Sequence, residues 1–253
     1  MPSMDQKVAL VTGAMRGVGF AIAQEFAEQG AYVVLTDIDQ DGLDKAVATL
    51  GPKASGRLAD VSDEAQMKSA YRSVMERHGR LDVVVANAGV GDSAPLGSIT
   101  EAQFDKIYNI NVKGVLFTIQ CALPHLGPGG SVIIIGSTGS VQGQYGMSLY
   151  CGSKAALRGA LRAWITEVKG SGIRINLLSP GAVDTPSLRL AFAGAVGADH
   201  VEERVTAMGE QNPLGRLVSP SDIGQAAAFL GSDASSGITG IELFVDGGVA
   251  QTG

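Results

Sequence analysis

Tyr150 and Lys154 stand four residues apart where a long helical pattern begins, so their side chains share one face, a turn apart. Ser137 lies thirteen residues earlier, at the end of the apolar run SVIIIGS, which reads as a strand. A hydroxyl, a phenol and an ammonium can therefore converge beside the mouth of a sheet. The chemistry in prospect is proton exchange by the phenol. Its unperturbed pKa of about 10 makes it a poor acid or base near neutral pH, and a neighbouring ammonium is expected to lower that value by favouring the phenolate. Alone, a Tyr and a Lys on one helix face read better as surface decoration, so the case rests on the elements that would position them.

The elements alternate. Short β-rich runs at Lys7 to Thr12, Tyr32 to Thr36, Gly56 to Ala59, Leu81 to Ala86, Ser131 to Gly136, Ile173 to Leu178 and Ile241 to Asp246 are separated by helical stretches. This is the pattern of parallel βαβ units. The run LDVVVA is continuously apolar, as expected of a strand buried on both faces. The helices are expected at about Val18 to Gln29, Gln40 to Leu50, from an N-cap at Ser62 to His78, from a cap at Thr100 towards Leu123, and Ser148 to Lys169, with a last one over SPSDIGQAAAFLG. Residues 185–213 break the rhythm with a Pro, small apolar residues and a mixed-charge stretch, and read as a substrate lid. No repeat or linker divides the chain, so 1–253 is expected to be a single domain.

A second set of residues points to a nucleotide. Thr12-Gly13-Ala14-Met15-Arg16-Gly17-Val18-Gly19 falls between the first strand and the first helix. Glycines there permit a tight turn, close approach of the backbone to a pyrophosphate and packing of helix on strand, and the helix N-terminus offers free N–H groups. Asp37, at the end of the second strand, is placed to bond adenosine ribose hydroxyls, with Ile38 following it. A carboxylate there repels a 2′-phosphate and favours NAD over NADP; Arg16, a cation beside the glycine turn, is the opposing signal.

Composition excludes several classes. A net charge of −6 and the absence of any Lys/Arg run argue against a nucleic-acid surface. With 45% hydrophobic and 17% charged residues the chain can fill a large core, but no apolar run approaches the roughly 20 residues of a membrane span. The opening MPSMDQKVALV lacks the pattern of a signal peptide, and two cysteines, Cys121 and Cys151, make no disulfide framework. A soluble, reduced, cytoplasmic protein is expected. His78, His125 and His200 show no ligand spacing, so no metal is expected.

Taken in order, TGAMRGVG, Asp60-Val61, Asn87-Ala88-Gly89, Asn111, Ser137, Tyr150-x-x-x-Lys154, Pro180-Gly181 and Thr185 make the chain resemble the short-chain dehydrogenases/reductases over almost its whole length. Ala86 departs from the family pattern, which often has a second Asn there. The resemblance implies an α/β fold, a Rossmann-like doubly wound parallel sheet of about seven strands with helices on both faces. It implies a cofactor site formed by Gly13, Arg16, Gly17, Val18, Gly19, Asp37, Ile38, Asp60, Val61, Asn87, Ala88, Gly89, Tyr150, Lys154, Pro180, Gly181, Val183 and Thr185. It also implies a catalytic group of Asn111, Ser137, Tyr150 and Lys154. Tyr150 would be the general acid or base, Lys154 would lower its pKa and bond the nicotinamide ribose, Ser137 would bond the substrate oxygen, and Asn111 would support a relay water. The implied activity is interconversion of a secondary alcohol (small alcohol, sugar, polyol or cyclic substrate) and its ketone with NAD(H), in a homotetramer.

Two other functions compete. One is an NADPH-dependent 3-oxoacyl-(acyl-carrier-protein) reductase, which would need a basic docking patch where this chain reads His125-Leu126-Gly127-Pro128 and Gly170-Ser171-Gly172. The other is a non-catalytic dinucleotide sensor, which would not need Ser137, Tyr150 and Lys154 together. Among the remaining residues, Cys151 and Cys121 read as packing positions, Gln144 and Met147 as packing or substrate contacts, and Arg189 as a solvated charge or an anion partner.

Overall fold

The computed structural model describes residues 3–252, apart from the side chains at 191, 195 and 196. Seven strands, β1 (Val8–Thr12), β2 (Tyr32–Asp37), β3 (Ala54–Leu58), β4 (Leu81–Ala86), β5 (Leu126–Ile135), β6 (Arg174–Pro180) and β7 (Glu242–Val245), form one sheet in the order β3-β2-β1-β4-β5-β6-β7. Every neighbouring pair is parallel. The chain winds outward from β1 to β3, then restarts at β4 on the other side of β1. Such a reversal opens a crevice above the carboxyl ends of the two central strands, which is where doubly wound sheets bind ligands.

The helices are α1 (Gly17–Glu28), α2 (Gln40–Leu50), α3 (Glu64–His78), α4 (Glu101–Tyr108), α5 (Gly114–Ala122), α6 (Ser148–Glu167), α7 (Pro186–Val196), α8 (Val201–Glu210) and α9 (Pro220–Gly231). Strand periodicity sends Ala9, Val11, Val83, Val85, Ile133 and Ile135 into a core with α1, α2 and α9, through Ile22, Phe26, Leu43 and Ile223. Their neighbours Val8, Leu10, Val84, Val132 and Ile134 enter a second core with α3, α5 and α6, through Met67, Tyr71, Ile119 and Leu157. Two buried faces explain why the central strands are apolar at every position.

Several boundaries differ from those expected. The N-cap of α3 is Asp63, whose carboxylate accepts from the Ala65 and Gln66 amides, while Ser62 instead donates its hydroxyl to Asp60 (2.7 Å). Strand β5 starts at Leu126 because Leu126 pairs with Leu81 ahead of a register shift. The helix expected from Thr100 to Leu123 is interrupted by a π turn, Asn109–Lys113. Gly114 follows it at a close approach, since a Cβ there would lie 2.6 Å from Val61. Residues 185–213 hold two helices, α7 and α8, with α7 capped by the Thr185 hydroxyl accepting from Leu188 (3.2 Å).

Candidate active site

Strand β5 delivers Ser137 just past its end, in a short 3-10 turn (Thr138–Ser140), and the first turns of α6 deliver Tyr150 and Lys154. The Ser137 oxygen accepts from the Gly139 amide (3.0 Å), which leaves its proton free to donate elsewhere. A Cβ on Gly139 would lie 3.3 Å from that oxygen and 3.4 Å from the Tyr150 ring, so glycine lets the turn close against the phenol. Lys154 is buried, with Nζ 5.8 Å from the centroid of the Tyr150 ring and donating to the Ile135 carbonyl (2.8 Å). The three chemical groups predicted to converge do so.

Their proton affinities differ from the expectation. Burial pushes the Tyr150 pKa above its ordinary value; the Ser137 hydroxyl beside the phenol pulls it back, and Cys151 adds a smaller upward push. Lys154 turns its ammonium toward the ring and donates to the Ile135 carbonyl. It is itself lowered to about 8, because burial disfavours its charge.

Asn111 lies in the π turn and is fully buried. Its side chain clamps both backbone groups of Val90, Oδ1 accepting from the amide (2.8 Å) and Nδ2 donating to the carbonyl (2.9 Å). Nδ2 also donates to Ser153 (3.0 Å), whose own hydroxyl donates to the Tyr150 carbonyl (2.7 Å). These bonds to Val90 span 21 residues. Ser153 was missed by sequence reasoning; its place between Tyr150 and Lys154 was the available signal, and a helix-interior Ser is commonplace. Gly89 runs over this group, since a Cβ there would be 3.4 Å from Asn111 Oδ1 and 3.6 Å from Lys154 Nζ.

The glycine turn has the shape of an anion cradle. Gly13 and Gly17 have φ of 62° and 61°. A Cβ on Gly17 would meet nothing within 4 Å, whereas one on Gly13 would meet Ala88 at 2.8 Å and one on Gly19 would overlap Asn87. Gly13 and Gly19 therefore serve packing and Gly17 faces open space. Arg16 is the N-cap of α1 without a capping side chain, so the N–H groups of Gly17, Val18 and Gly19 have no acceptor within the helix. Asn87 binds the turn to β4, donating to the carbonyls of Thr12 (2.8 Å) and Gly13 (3.0 Å). Asp37 braces it from β2, with Oδ2 accepting from Met15 (3.2 Å) and Oδ1 from Ile38 (2.8 Å). Both oxygens keep a lone pair for a further donor. Asp60 accepts from Ser62 on Oδ1 only, which leaves Oδ2 available, and Val61 is buried. The donor set fits an adenine dinucleotide.

On the far side of the crevice, Pro180 ends β6 and Gly181 passes so close to Asp246 that a Cβ would lie 2.9 Å from it. Val183 bridges to Val218, and Thr185 starts α7. Arg189 is neither a solvated charge nor a free anion partner: it pairs with Asp184 (2.6 Å) and with Glu202, tying α7 to α8. Met147 faces Gly91 beside Tyr150, at 3.7 Å from the position of a Cβ on that glycine. Cys121 is buried, and Cys151, half-buried, directs its thiol to the Gln142 carbonyl. Among the described residues no group of three or more His, Cys, Asp or Glu could hold a metal, and no helix is long and apolar enough to cross a membrane.

Residues 13–250 match the family model described as Enoyl-(Acyl carrier protein) reductase. The chain is 41% identical over 247 residues to the oxidoreductase asL5 of Sarocladium schorii, covering 97% of this chain and 96% of that one. It is 34% identical over 250 residues to the galactitol 2-dehydrogenase of Agrobacterium fabrum, covering 97% and 98%. Its fold superposes on the crystal structure of the 3-ketoacyl-(acyl-carrier-protein) reductase from Brucella melitensis complexed with NADH, with a TM-score of 0.88, 31% identity and coverage of 98% and 100%.

Proposed function

The chain belongs to the short-chain dehydrogenase/reductase family, and on that footing we propose that it is an NAD(H)-dependent oxidoreductase interconverting a secondary alcohol and its ketone. The observation that carries this reading is the convergence of Ser137, Tyr150 and Lys154 at the mouth of the crevice whose other side holds the glycine turn and Asp37. When bound, a nicotinamide dinucleotide supplies the hydride donor or acceptor. Tyr150 protonates the carbonyl oxygen in reduction and takes the alcohol proton in oxidation. Burial raises its pKa, so the phenol is protonated at neutral pH, which is the form that reduction requires. Ser137 donates to the substrate oxygen and holds it near the phenol. Lys154 holds a positive charge under the Tyr150 ring, within reach of a nicotinamide ribose, and Asn111 keeps the Val90 backbone and α6 in register while its neighbourhood supports the relay water. Asp37 disfavours a 2′-phosphate: one like-charge pair at ~4 Å and an effective dielectric of ~20 costs roughly 4 kcal/mol. Gly13 to Gly19, Asp60, Val61, Asn87 to Gly89 and the Pro180 to Thr185 segment complete the proposed cofactor site. The proposed substrate is a small neutral alcohol, sugar, polyol or cyclic ketone, with residues 185–213 as the lid, and the proposed assembly is a cytoplasmic homotetramer.

The test is a panel of sugars, polyols, secondary alcohols and hydroxysteroids with NAD and NADP. A lower KM for NAD than for NADP, and loss of turnover by about 10³-fold or more in Tyr150→Phe with dinucleotide binding intact, is the expected result. A clear NADP preference defeats the role of Asp37, and retained turnover in Tyr150→Phe defeats that of Tyr150. The likeness to the 3-ketoacyl-(acyl-carrier-protein) reductase from Brucella melitensis favours a second reading, reduction of a 3-oxoacyl-(acyl-carrier-protein) substrate. The stretches His125 to Pro128 and Gly170 to Gly172 offer little positive charge for an acidic carrier, and turnover of a 3-oxoacyl thioester with NADPH exceeding that of every alcohol with NAD would establish it.

A further inference from the structure

Glu242 opens β7, on the edge of the sheet farthest from the glycine turn, and its carboxylate is nearly buried at 10% side-chain exposure. A buried carboxylate is costly unless its oxygens are fully engaged. Here Oε1 is hydrogen-bonded by two elements, and Oε2, which accepts no hydrogen bond, lies against a third as an ion pair. Oε1 accepts from the Ser140 hydroxyl (2.8 Å) and from the Ser179 hydroxyl on β6 (2.7 Å), and Oε2 pairs with the Arg158 guanidinium on α6.

Those partners have one thing in common. Ser140 closes the 3-10 turn that Ser137 opens, its amide donating to the Ser137 carbonyl (2.9 Å). Ser179 lies against Gly136, the residue before Ser137, where any Cβ would overlap its hydroxyl oxygen. Arg158 is one turn beyond Lys154 and two beyond Tyr150, so the three share a face of α6. A tether at Arg158 opposes rotation of α6 about its axis, and a tether at Ser140 opposes opening of the Ser137 turn. Together they hold the Ser137 hydroxyl and the Tyr150 phenol at a fixed separation from a residue that touches neither.

We propose that Glu242 is a positioning residue, which locks the Ser137 turn to the Tyr150–Lys154 helix through Ser140, Ser179 and Arg158. The proposal rests on the catalytic reading above for its effect on rate, but the tether itself is a physical claim that holds or fails without turnover. It also predicts a division of labour. The part of the proposed cofactor cradle that faces the adenosine and pyrophosphate is built on β1, β2 and α1, across the sheet from β7, so loosening the tether spares those contacts and changes dinucleotide affinity little.

The experiment compares Glu242→Ala, Glu242→Gln and Ser140→Ala with the wild-type protein by amide hydrogen exchange, NADH binding followed by fluorescence, and steady-state kinetics. In Glu242→Ala the amides of residues 137–142 exchange about tenfold faster or more, while those of residues 12–20 are unchanged. The same variant loses about tenfold in kcat with a dinucleotide Kd within about twofold of wild type. Glu242→Gln keeps an oxygen acceptor for both serines and recovers slow exchange and most of the rate; Ser140→Ala, which leaves Glu242 its other two partners, reproduces the faster exchange and is the decisive variant if Glu242→Ala does not fold. Unchanged exchange at 137–142 in Glu242→Ala, or in Ser140→Ala where the first variant does not fold, overturns the tether even in an active enzyme. Faster exchange with an unaltered kcat, or a kcat and a Kd that worsen together, overturns the positioning role. Turnover retained by Tyr150→Phe would sink the catalytic reading alone, and the exchange rates at 137–142 would still decide whether Glu242 tethers the turn.

Discussion

The buried ammonium of Lys154 gives the active site a pH signature in stability as well as in rate. Its pKa in the folded protein is about 8, against an ordinary 10.5, because burial disfavours the charge. Below pH 8 both folded and unfolded chains carry the proton, and folding bears the full cost of desolvating it. Between about pH 8 and 10 the folded chain sheds the proton while the unfolded chain keeps it, so stability rises with pH, by about 1.4 kcal/mol per unit at most. Tyr150, whose pKa is raised, opposes the gain only towards pH 10, where the unfolded phenol begins to ionise and the folded one does not. Urea unfolding of the wild-type protein and of Lys154→Met, at intervals from pH 7 to pH 10, measures it. The expected result is a stability difference that shifts in favour of the wild type across the window. A pH-independent difference would mean that Lys154 is not buried as a cation.

At the scale of elements, the far end of β6 shows how a polar side chain can fix a helix in place. Arg174 begins β6 and is buried, with Nη2 donating to the Leu230 carbonyl at the end of α9 (2.9 Å) and to that of Ser232 (3.2 Å), and Nη1 donating to the Ser235 hydroxyl (2.8 Å). A cation at a helix C-terminus also opposes the negative end of the helix dipole. Its planar fork serves acceptors on separate turns simultaneously, a geometry that a lysine cannot reproduce. Arg174→Met is therefore expected to cost about 2 kcal/mol or more, and Arg174→Lys to recover little of it. Thermal unfolding of both variants is the check; a lysine variant as stable as wild type would show that charge alone matters there.

For the molecule as a whole, the two cores share one sheet, and the proposed cofactor would span both halves across the crevice between β1 and β4. A ligand that binds only the folded chain raises its stability by about 2.7 kcal/mol at a concentration a hundred times its Kd. NADH is accordingly expected to raise the melting temperature, and to raise it more than NADPH at equal concentration, because Asp37 lies at the end of β2 beside the glycine turn. An equal or larger shift with NADPH would transfer the weight to Arg16.

Much of this was legible in the residues themselves. The seven strands, the glycine turn with Asp37, and the Ser137, Tyr150 and Lys154 group follow from local signals: apolar runs, glycines at a βα turn and a four-residue spacing on one helix. Such signals survive because backbone periodicity is decided within a few residues. Where two adjacent residues could both cap a helix, as Ser62 and Asp63 could, the choice depended on Asp60 engaging the serine. The π turn that buries Asn111, and the Val90 backbone that Asn111 clamps, have no local marker, since that contact spans 21 residues. The upward shift of Tyr150 could not be read from its spacing to Lys154, because desolvation depends on everything packed around the phenol. Arg189 and Glu242 make the same point for charges: which partner neutralises them is settled only when strands and helices distant in sequence meet. The sequence by itself determined which groups could do the chemistry and on which elements they ride. Only the tertiary structure decided their proton affinities and what holds them at their separations, because burial and long-range hydrogen bonds are properties of the packed chain.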